Sequence, residues 1–341
     1  MDSVTQLALG AAVGEATLGR KVGNKAIWWG GICGTIPDLD IFIPFNDPVT
    51  SFISHRSFSH SLVILALLTP CVAWVIRRIH PQYATNTRAW MALVYLAFST
   101  HVLLDSFTAY GTQLFWPLSN HPIMWSTIFI IDPLYTTPLL LGVIGALVMS
   151  REKGLGHTVN TLGLILSALY LSWTIAAKWH VEHFVQERLA AQQISYTQIL
   201  VQPTPINSLL WRVLIMEEEG YAEGFYSILN RPTDLQLIHY PSDRHFLDTL
   251  TDHEPVKGLH WFTQGFWGIR LQDNLIVISD LRMGMEPNYA FSFNIGENRE
   301  AQIFPIASER RASTTNWGQV LRWVWKQIWE ASGEDNAHPK K

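Results

Sequence analysis

Apolar residues are spread unevenly along this chain. Through residue 180 they run in long stretches broken by short polar turns. Beyond it they fall into short segments rich in β-branched and aromatic residues between Gly, Pro and Asn breaks. A bilayer core of about 30 Å takes about 20 consecutive apolar helical residues, and residues 61–79, 90–110 and 158–179 meet that length. Residues 128–150 are as long but carry Asp132 and Pro133 near their start. A shorter Gly-rich pair, residues 4–19 and 26–37, is joined by a turn holding Arg20, Lys21 and Lys25. It reads either as a hairpin through the membrane or as a re-entrant element, because Glu15 and the glycines weaken it as a span.

Further along, residues 178–193 read as a helix leaving the membrane, and residues 209–217, 220–229, 258–271, 275–280 and 290–295 as strands. Pro203 and Pro205 read as a stiff linker into the first of them. Residues 316–331 place Trp317, Val320, Leu321, Val324 and Ile328 on one helical stripe with Trp325 and Trp329 beside it. Such a helix either packs on the β domain or lies on a membrane surface. The expected fold is a multi-pass α-helical membrane domain of four to six spans, followed by a small mostly-β extramembrane domain and a C-terminal amphipathic helix. The expected boundaries are 1–180 for the membrane domain, 181–200 for a connecting helix, 201–312 for the β domain, 313–332 for the Trp-rich helix and 333–341 for a disordered tail.

Charge sharpens this division. Residues 1–180 hold 10 Lys/Arg and 8 Asp/Glu of the 24 and 28 in the 341-residue chain, so the first half is about half as charged as the second, and a soluble two-domain enzyme is a poor fit. With six crossings, Arg20, Lys21, Lys25, Arg77, Arg78, Arg88, Arg151 and Lys153 collect in turns on one side, against Arg56 alone in the membrane-domain segments on the other. The positive-inside rule makes the basic side cytoplasmic. The β domain and the acidic and histidine clusters are then expected on the opposite, non-cytoplasmic side. If the N-terminal pair is re-entrant, the charge asymmetry weakens. No secretory signal is expected, since no basic region precedes the first apolar run and Glu15 lies inside it. The net charge of −4 gives no case for nucleic acid, and Cys33 and Cys71 fit no disulfide framework or thiolate metal motif.

Ionisable groups in or beside apolar helices are costly unless paired, solvated or bound to a metal. His101 and Asp105 stand four apart in His-Val-Leu-Leu-Asp, on one helix face within reach of a single ion. A structural hydrogen-bonded pair is the plainer explanation of those two alone. Three other clusters arrive at the same side of the membrane, however: Asp38 and Asp40 in Pro-Asp-Leu-Asp, His55 and His60 in His-Arg-Ser-Phe-Ser-His, and Asp132. Asp38, Asp40, His55, His60, His101 and Asp105 form a candidate metal set of carboxylates and imidazoles, suited to Zn²⁺ first and also to Mn²⁺. Arg56 and Asp132 are the candidate catalytic groups, Arg56 to hold an anionic oxygen. Arg56 also reads as a snorkelling interfacial charge, and Asp132 as a helix cap. His180, His183 and His121 are weaker candidates. Ser57, Ser59 and Ser61 lie near histidines but lack the Gly-rich elbow of a serine hydrolase.

These residues in this order resemble the membrane-bound metal-dependent hydrolases, the YdjM-like inner-membrane proteins of bacteria. The resemblance rests on Met1-Asp2-Ser3-Val4-Thr5, Gly34-Thr35-Ile36-Pro37-Asp38-Leu39-Asp40, His55-Arg56-Ser57-Phe58-Ser59-His60-Ser61-Leu62 and His101-Val102-Leu103-Leu104-Asp105-Ser106-Phe107-Thr108, with Gly111 and Trp116-Pro117 following. It implies a multi-pass membrane protein with a divalent-metal hydrolase site and supplies no substrate. A fainter similarity reaches the zinc-dependent phospholipase C enzymes, whose His-x-x-x-Asp helix also contributes ligands, and puts phosphoesters and membrane lipids first among substrates. Gln6 departs from the family, many of whose members carry His there, and removes a possible ligand. Two further readings stand beside the hydrolase: a non-catalytic membrane protein whose metal or polar cluster holds its helices and displays the β domain to a partner, and a transporter.

Overall fold

The computed structural model describes residues 1–149, 154–230, 234–300, 302–313 and 315–329. The expected tail and the charges Arg151 and Lys153 lie outside them. Two compact units are formed, one from Met1–Ile43 and His55–Ile175, the other from Pro44–Ser54 and the chain from Ala176 onward.

The first unit opens with α1 (Ser3–Gly14), whose exposed N–H groups are capped by the Asp2 carboxylate accepting from Val4 and Thr5. The helix runs on through a π-helical stretch, Glu15–Gly19, and a last turn, Arg20–Val22, before Gly23 (φ 71°) reverses the chain into α2 (Asn24–Thr35). The two helices run antiparallel with their backbones almost touching. A Cβ built on Gly10 would lie 2.3 Å from the Gly30 carbonyl oxygen, and one on Gly14 2.2 Å from that of Ala26. Followed through to Val22 the first helical run is about 30 Å long, whereas α2, at 12 residues, is about 18 Å.

A short helix, α3 (Pro48–Ser54), belongs to the second unit. Three of the helices that follow it are long and apolar enough to cross a membrane: α4 (Leu62–Ile79), α5 (Thr87–Ser106) and α7 (Leu155–Ala191). Between them α6 (Pro133–Val148) is apolar but only 16 residues long. It starts later than the apolar run suggests, because Pro133 occupies its first turn and Asp132 caps it while Ile128–Ile131 stay non-helical. Among these helices α5 is the enclosed one, with 61% of its apolar stretch buried against 22% in α4 and in α7. Its polar residues are therefore held among protein groups rather than lipid.

In the second unit the 37-residue α7 continues from the membrane segment without a break and lays Val181, Val185 and Leu189 against Val201, Trp211, Val213 and Tyr226. Those four lie on an antiparallel sheet ordered β1 (Gln198–Pro203), β2 (Leu210–Met216), β3 (Gly220–Ser227), β4 (Ile238–Pro241). Pro203 thus closes a strand, paired with Trp211, where a linker was expected. A second sheet is ordered β10 (Gln302–Arg310), β9 (Ser292–Arg299), β6 (Leu275–Asp280), β5 (Trp267–Gln272), and β7 (Gly284–Met285) pairs with β8 (Asn288–Tyr289).

The segment expected as a strand over 258–271 is half helix. In α8 (Glu254–Thr263), Pro255 sits in the first turn, Val256, Leu259 and Phe262 recur on the buried face, and left-handed Gln264 stops it before β5. The last helix, α9 (Trp317–Trp329), packs Val320, Val324 and Ile328 on Leu210 and Met285 of the β unit.

Candidate metal centre

Four side chains from three parts of the sequence converge at one end of α5. Asp38, His60, His101 and Asp105 each offer a ligand atom, and these atoms all lie within 4.8 Å of one another. His101 and Asp105 come from the last turns of α5, where their four-residue spacing stacks them on one face. His60 ends a 3₁₀ turn, Phe58–His60, just ahead of the Ser61 cap of α4. Asp38 lies in a second 3₁₀ turn, Pro37–Phe42, that follows α2.

His60 Nε2 stands 3.1 Å from Asp105 Oδ2 and 3.4 Å from Asp38 Oδ1, and His101 Nε2 stands 3.4 and 3.5 Å from the same two oxygens. The two Nε2 atoms are 3.3 Å apart. All but Asp38 are fully enclosed, so Asp38, with a side chain 21% exposed, marks the mouth.

Each imidazole is oriented through its other nitrogen. His101 Nδ1 lies 2.6 Å from the Gly34 carbonyl, which can only accept, so Nδ1 carries a proton and Nε2 is the nitrogen turned to the cluster. His60 Nδ1 lies 2.9 Å from the Ser59 hydroxyl, which donates to Asp40 at 2.6 Å and so accepts from the imidazole. This is the outer-layer arrangement that fixes tautomer and ring direction at metal sites. Two carboxylates and two imidazoles gathered in one buried cluster, each ring held through its Nδ1, are a donor set that fits a divalent ion once the imidazoles are neutral. Gln6 adds a further donor. Its Nε2 is 2.9 Å from Asp105 Oδ1, while its buried Oε1 has no hydrogen-bond partner, leaving an amide oxygen beside the ligands that a cation would satisfy.

Asp40 and His55 pair with each other instead of joining the four. Asp40 accepts from His55 Nδ1 at 2.8 Å, from the Arg56 backbone N–H at 3.0 Å and from Ser59. Burial pushes the Asp40 carboxyl up, but the hydrogen bond and charge of His55 outweigh it and leave it below the usual range. Asp38 behaves likewise, burial being outweighed by hydrogen bonds from His101 and His60.

Arg56 is buried in a left-handed conformation (φ 65°), a strained geometry for a non-glycine residue. Its Nη1 donates to Thr108 at 3.0 Å, its guanidinium lies 5.0 Å from the Tyr110 ring centre, and Nε stands 3.4 Å from Asp105 Oδ2 without a hydrogen-bond partner. The Met1 amino group also contacts Asp105.

Asp132 lies outside the cluster. It caps α6 by accepting from Leu134 and Tyr135 and receives the Tyr170 hydroxyl at 2.7 Å. His180 faces Tyr226, His183 faces Glu187, and Glu15 meets His157 at 3.8 Å. Ser59, Gly34 and Thr108 stand within or beside the sequence motifs, but their roles in the site, Ser59 between Asp40 and His60, the Gly34 carbonyl on His101 and Thr108 on Arg56, arise from tertiary contact.

An uncharacterised protein of Bacillus subtilis (strain 168), YfhP, is 25% identical over 232 residues, spanning 66% of this chain and 68% of its own. No solved structure matches. Nothing in these comparisons supports the fainter likeness to zinc-dependent phospholipase C. The YdjM inner membrane protein family matches residues 1–181, which contain every residue of the cluster, and the chain belongs to that family.

Proposed function

We propose that the protein is a membrane-embedded hydrolase using one divalent ion, most simply zinc, held by Asp38, His60, His101 and Asp105. The carrying observation is the pair of oriented imidazoles aimed at two carboxylates in a buried cluster. An ion bound there supplies Lewis acidity, activating water and polarising a phosphoryl or carbonyl oxygen. The chain's own residues do the rest. Asp40, through Ser59 and His55, holds the ligand layer in place, and Arg56, its Nε ion-paired with Asp105, directs its guanidinium toward the same oxygens, where it would bind an anionic oxygen of a phosphoester.

The substrate class that fits best is an amphiphile, because Leu39, Ile41 and Phe42, 53%, 64% and 75% exposed, alternate with or directly follow Asp38 and Asp40 at the mouth. The test is turnover of phosphoesters, soluble and lipid-borne, by zinc-loaded protein in nanodiscs. Hydrolysis abolished by chelation and weakened by Arg56→Lys supports the reading; no turnover with any divalent metal rejects it. The competing reading, a non-catalytic cluster that ties the helices together, is favoured by the Gln6 amide already bonded to Asp105. It requires no metal at all.

The basic turns beside α2, α4 and α5 support a cytoplasmic assignment for that side, and with it a periplasmic metal centre and β unit. Alkaline phosphatase fused after Lys341 should then be active and green fluorescent protein dark. The reverse pattern inverts the assignment.

A further inference from the structure

We propose that the outward face of α9 docks on an anionic lipid surface. The inward face of this helix is accounted for by Val320, Val324 and Ile328, and the Ile328 carbonyl accepts from Ser227 and Asn230. What remains outside is not an ordinary solvated face. Arg322, Trp325, Lys326 and Trp329 follow one another at spacings of three, four and seven from Arg322, so they share one side of the helix, and all four are exposed. Trp325 is 64% and Trp329 55% exposed, their ring centres 5.6 Å apart, and Trp317 adds a third open indole at the helix start.

Position within the molecule says what such a face meets. Among the described residues, every other exposed tryptophan lies on the first unit or on α7: Trp28, Trp74, Trp125, Trp173 and Trp179. Those of the β unit outside α9 are turned inward, Trp211 and Trp267 fully and Trp261 in part. Open indoles in this protein therefore go with membrane-facing elements, and α9 is the exception that needs a surface of its own. Indole rings favour the headgroup layer, being apolar in body with one N–H to satisfy. Charge selects the lipid. From Trp317 to Trp329 the helix carries Arg322 and Lys326 and no acidic residue, which complements anionic headgroups and not a zwitterionic or cationic surface.

The test uses the full chain in nanodiscs, with Cys71→Ser to clear the exposed thiol and Gly318→Cys carrying an NBD fluorophore. Gly318 is exposed four residues before Arg322, on the same face, and open enough that its nearest non-neighbouring atom to an added Cβ is Asn316 Oδ1 at 3.5 Å. With phosphatidylglycerol present, NBD emission should shift to the blue and be quenched by lipid bearing a doxyl group near the headgroup. Reversing both charges (Arg322→Glu with Lys326→Glu), a change of four charge units, should shift the docked-to-free ratio by roughly several hundredfold, and Trp325→Ser with Trp329→Ser should also lower the quenching. NBD that ignores doxyl lipid in both anionic and zwitterionic discs overturns the proposal. So does quenching that is indifferent to the charge reversal.

Discussion

Replacing Gly30 by Ala should weaken metal binding from a position that contributes no ligand. The added Cβ would sit 2.2 Å from the Gly10 carbonyl oxygen and 2.9 Å from Gly14 Cα. The first distance is about 1.2 Å short of the 3.4 Å at which ordinary contact begins. Both obstructing atoms are backbone, so no rotamer change relieves the clash and α1 and α2 must move apart. Overpacking of this kind costs about 1–3 kcal/mol. Helix separation also carries Gly34, one turn on from Gly30, away from His101. The 2.6 Å bond that sets the His101 tautomer cannot survive a shift of that size. Loss of such an outer contact lowers metal affinity about 10- to 100-fold.

Gly31→Ala is the control, on the same helix but with its nearest neighbour, the Leu7 carbonyl, at 3.5 Å. Both substitutions gain about 1 kcal/mol of helix propensity, so only the clash distinguishes them. Zinc titration against a chromophoric chelator and thermal unfolding in the same detergent should separate Gly30→Ala from wild type and leave Gly31→Ala beside it. Equal behaviour of the two variants would refute the coupling between the helix contact and the site.

Two further outcomes follow from buried charge. Arg212→Met leaves the enclosed Glu223 without its ion-pair partner, and the Tyr289 hydroxyl and the Glu286 backbone N–H, which also donate to it, do not replace the charge. The β unit should lose about 3–5 kcal/mol, read as a lower unfolding midpoint by circular dichroism. Asp40 titrates below its ordinary value in the folded state, so its contribution is present above the unfolded value near 3.9 and is lost as pH falls through the lower folded one. Asp40→Asn should flatten that acid limb of the stability curve, and an unchanged limb would mean that the His55 and Ser59 contacts contribute no pH-dependent stability.

Much of this was legible before any fold was known, because a span is a matter of composition and length. α4, α5 and α7 fall where the apolar runs lie, and His101 and Asp105 share a face because helix geometry places residues four apart together. The ranking of the remaining ligands was not legible. Whether Asp38 or Asp40 faces the imidazoles depends on the 3₁₀ turn at Pro37–Phe42, which points one carboxylate into the cluster and the other at His55 and Ser59. Gln6 was readable as a departure from the family, but not as an amide lying against Asp105. The glycines of α1 and α2 read as weakness in a span, whereas Gly10, Gly14, Gly30 and Gly34 allow a backbone contact that carries the Gly34 carbonyl to His101. In α8 the aromatic and β-branched content suggested a strand and hid the three-residue recurrence of Val256, Leu259 and Phe262.

The central claim is that the four side chains hold a metal rather than only one another. Zinc and manganese should be measured by mass spectrometry on detergent-purified wild type beside His60→Ala, His101→Ala and Asp105→Ala, after a zinc load and removal of free ion. Wild type should retain about one ion per chain, and each variant should retain less than about half of that while still inserting in the membrane. Equal metal in all four proteins, or none in the wild type, would contradict the claim and leave a hydrogen-bonded polar cluster in its place.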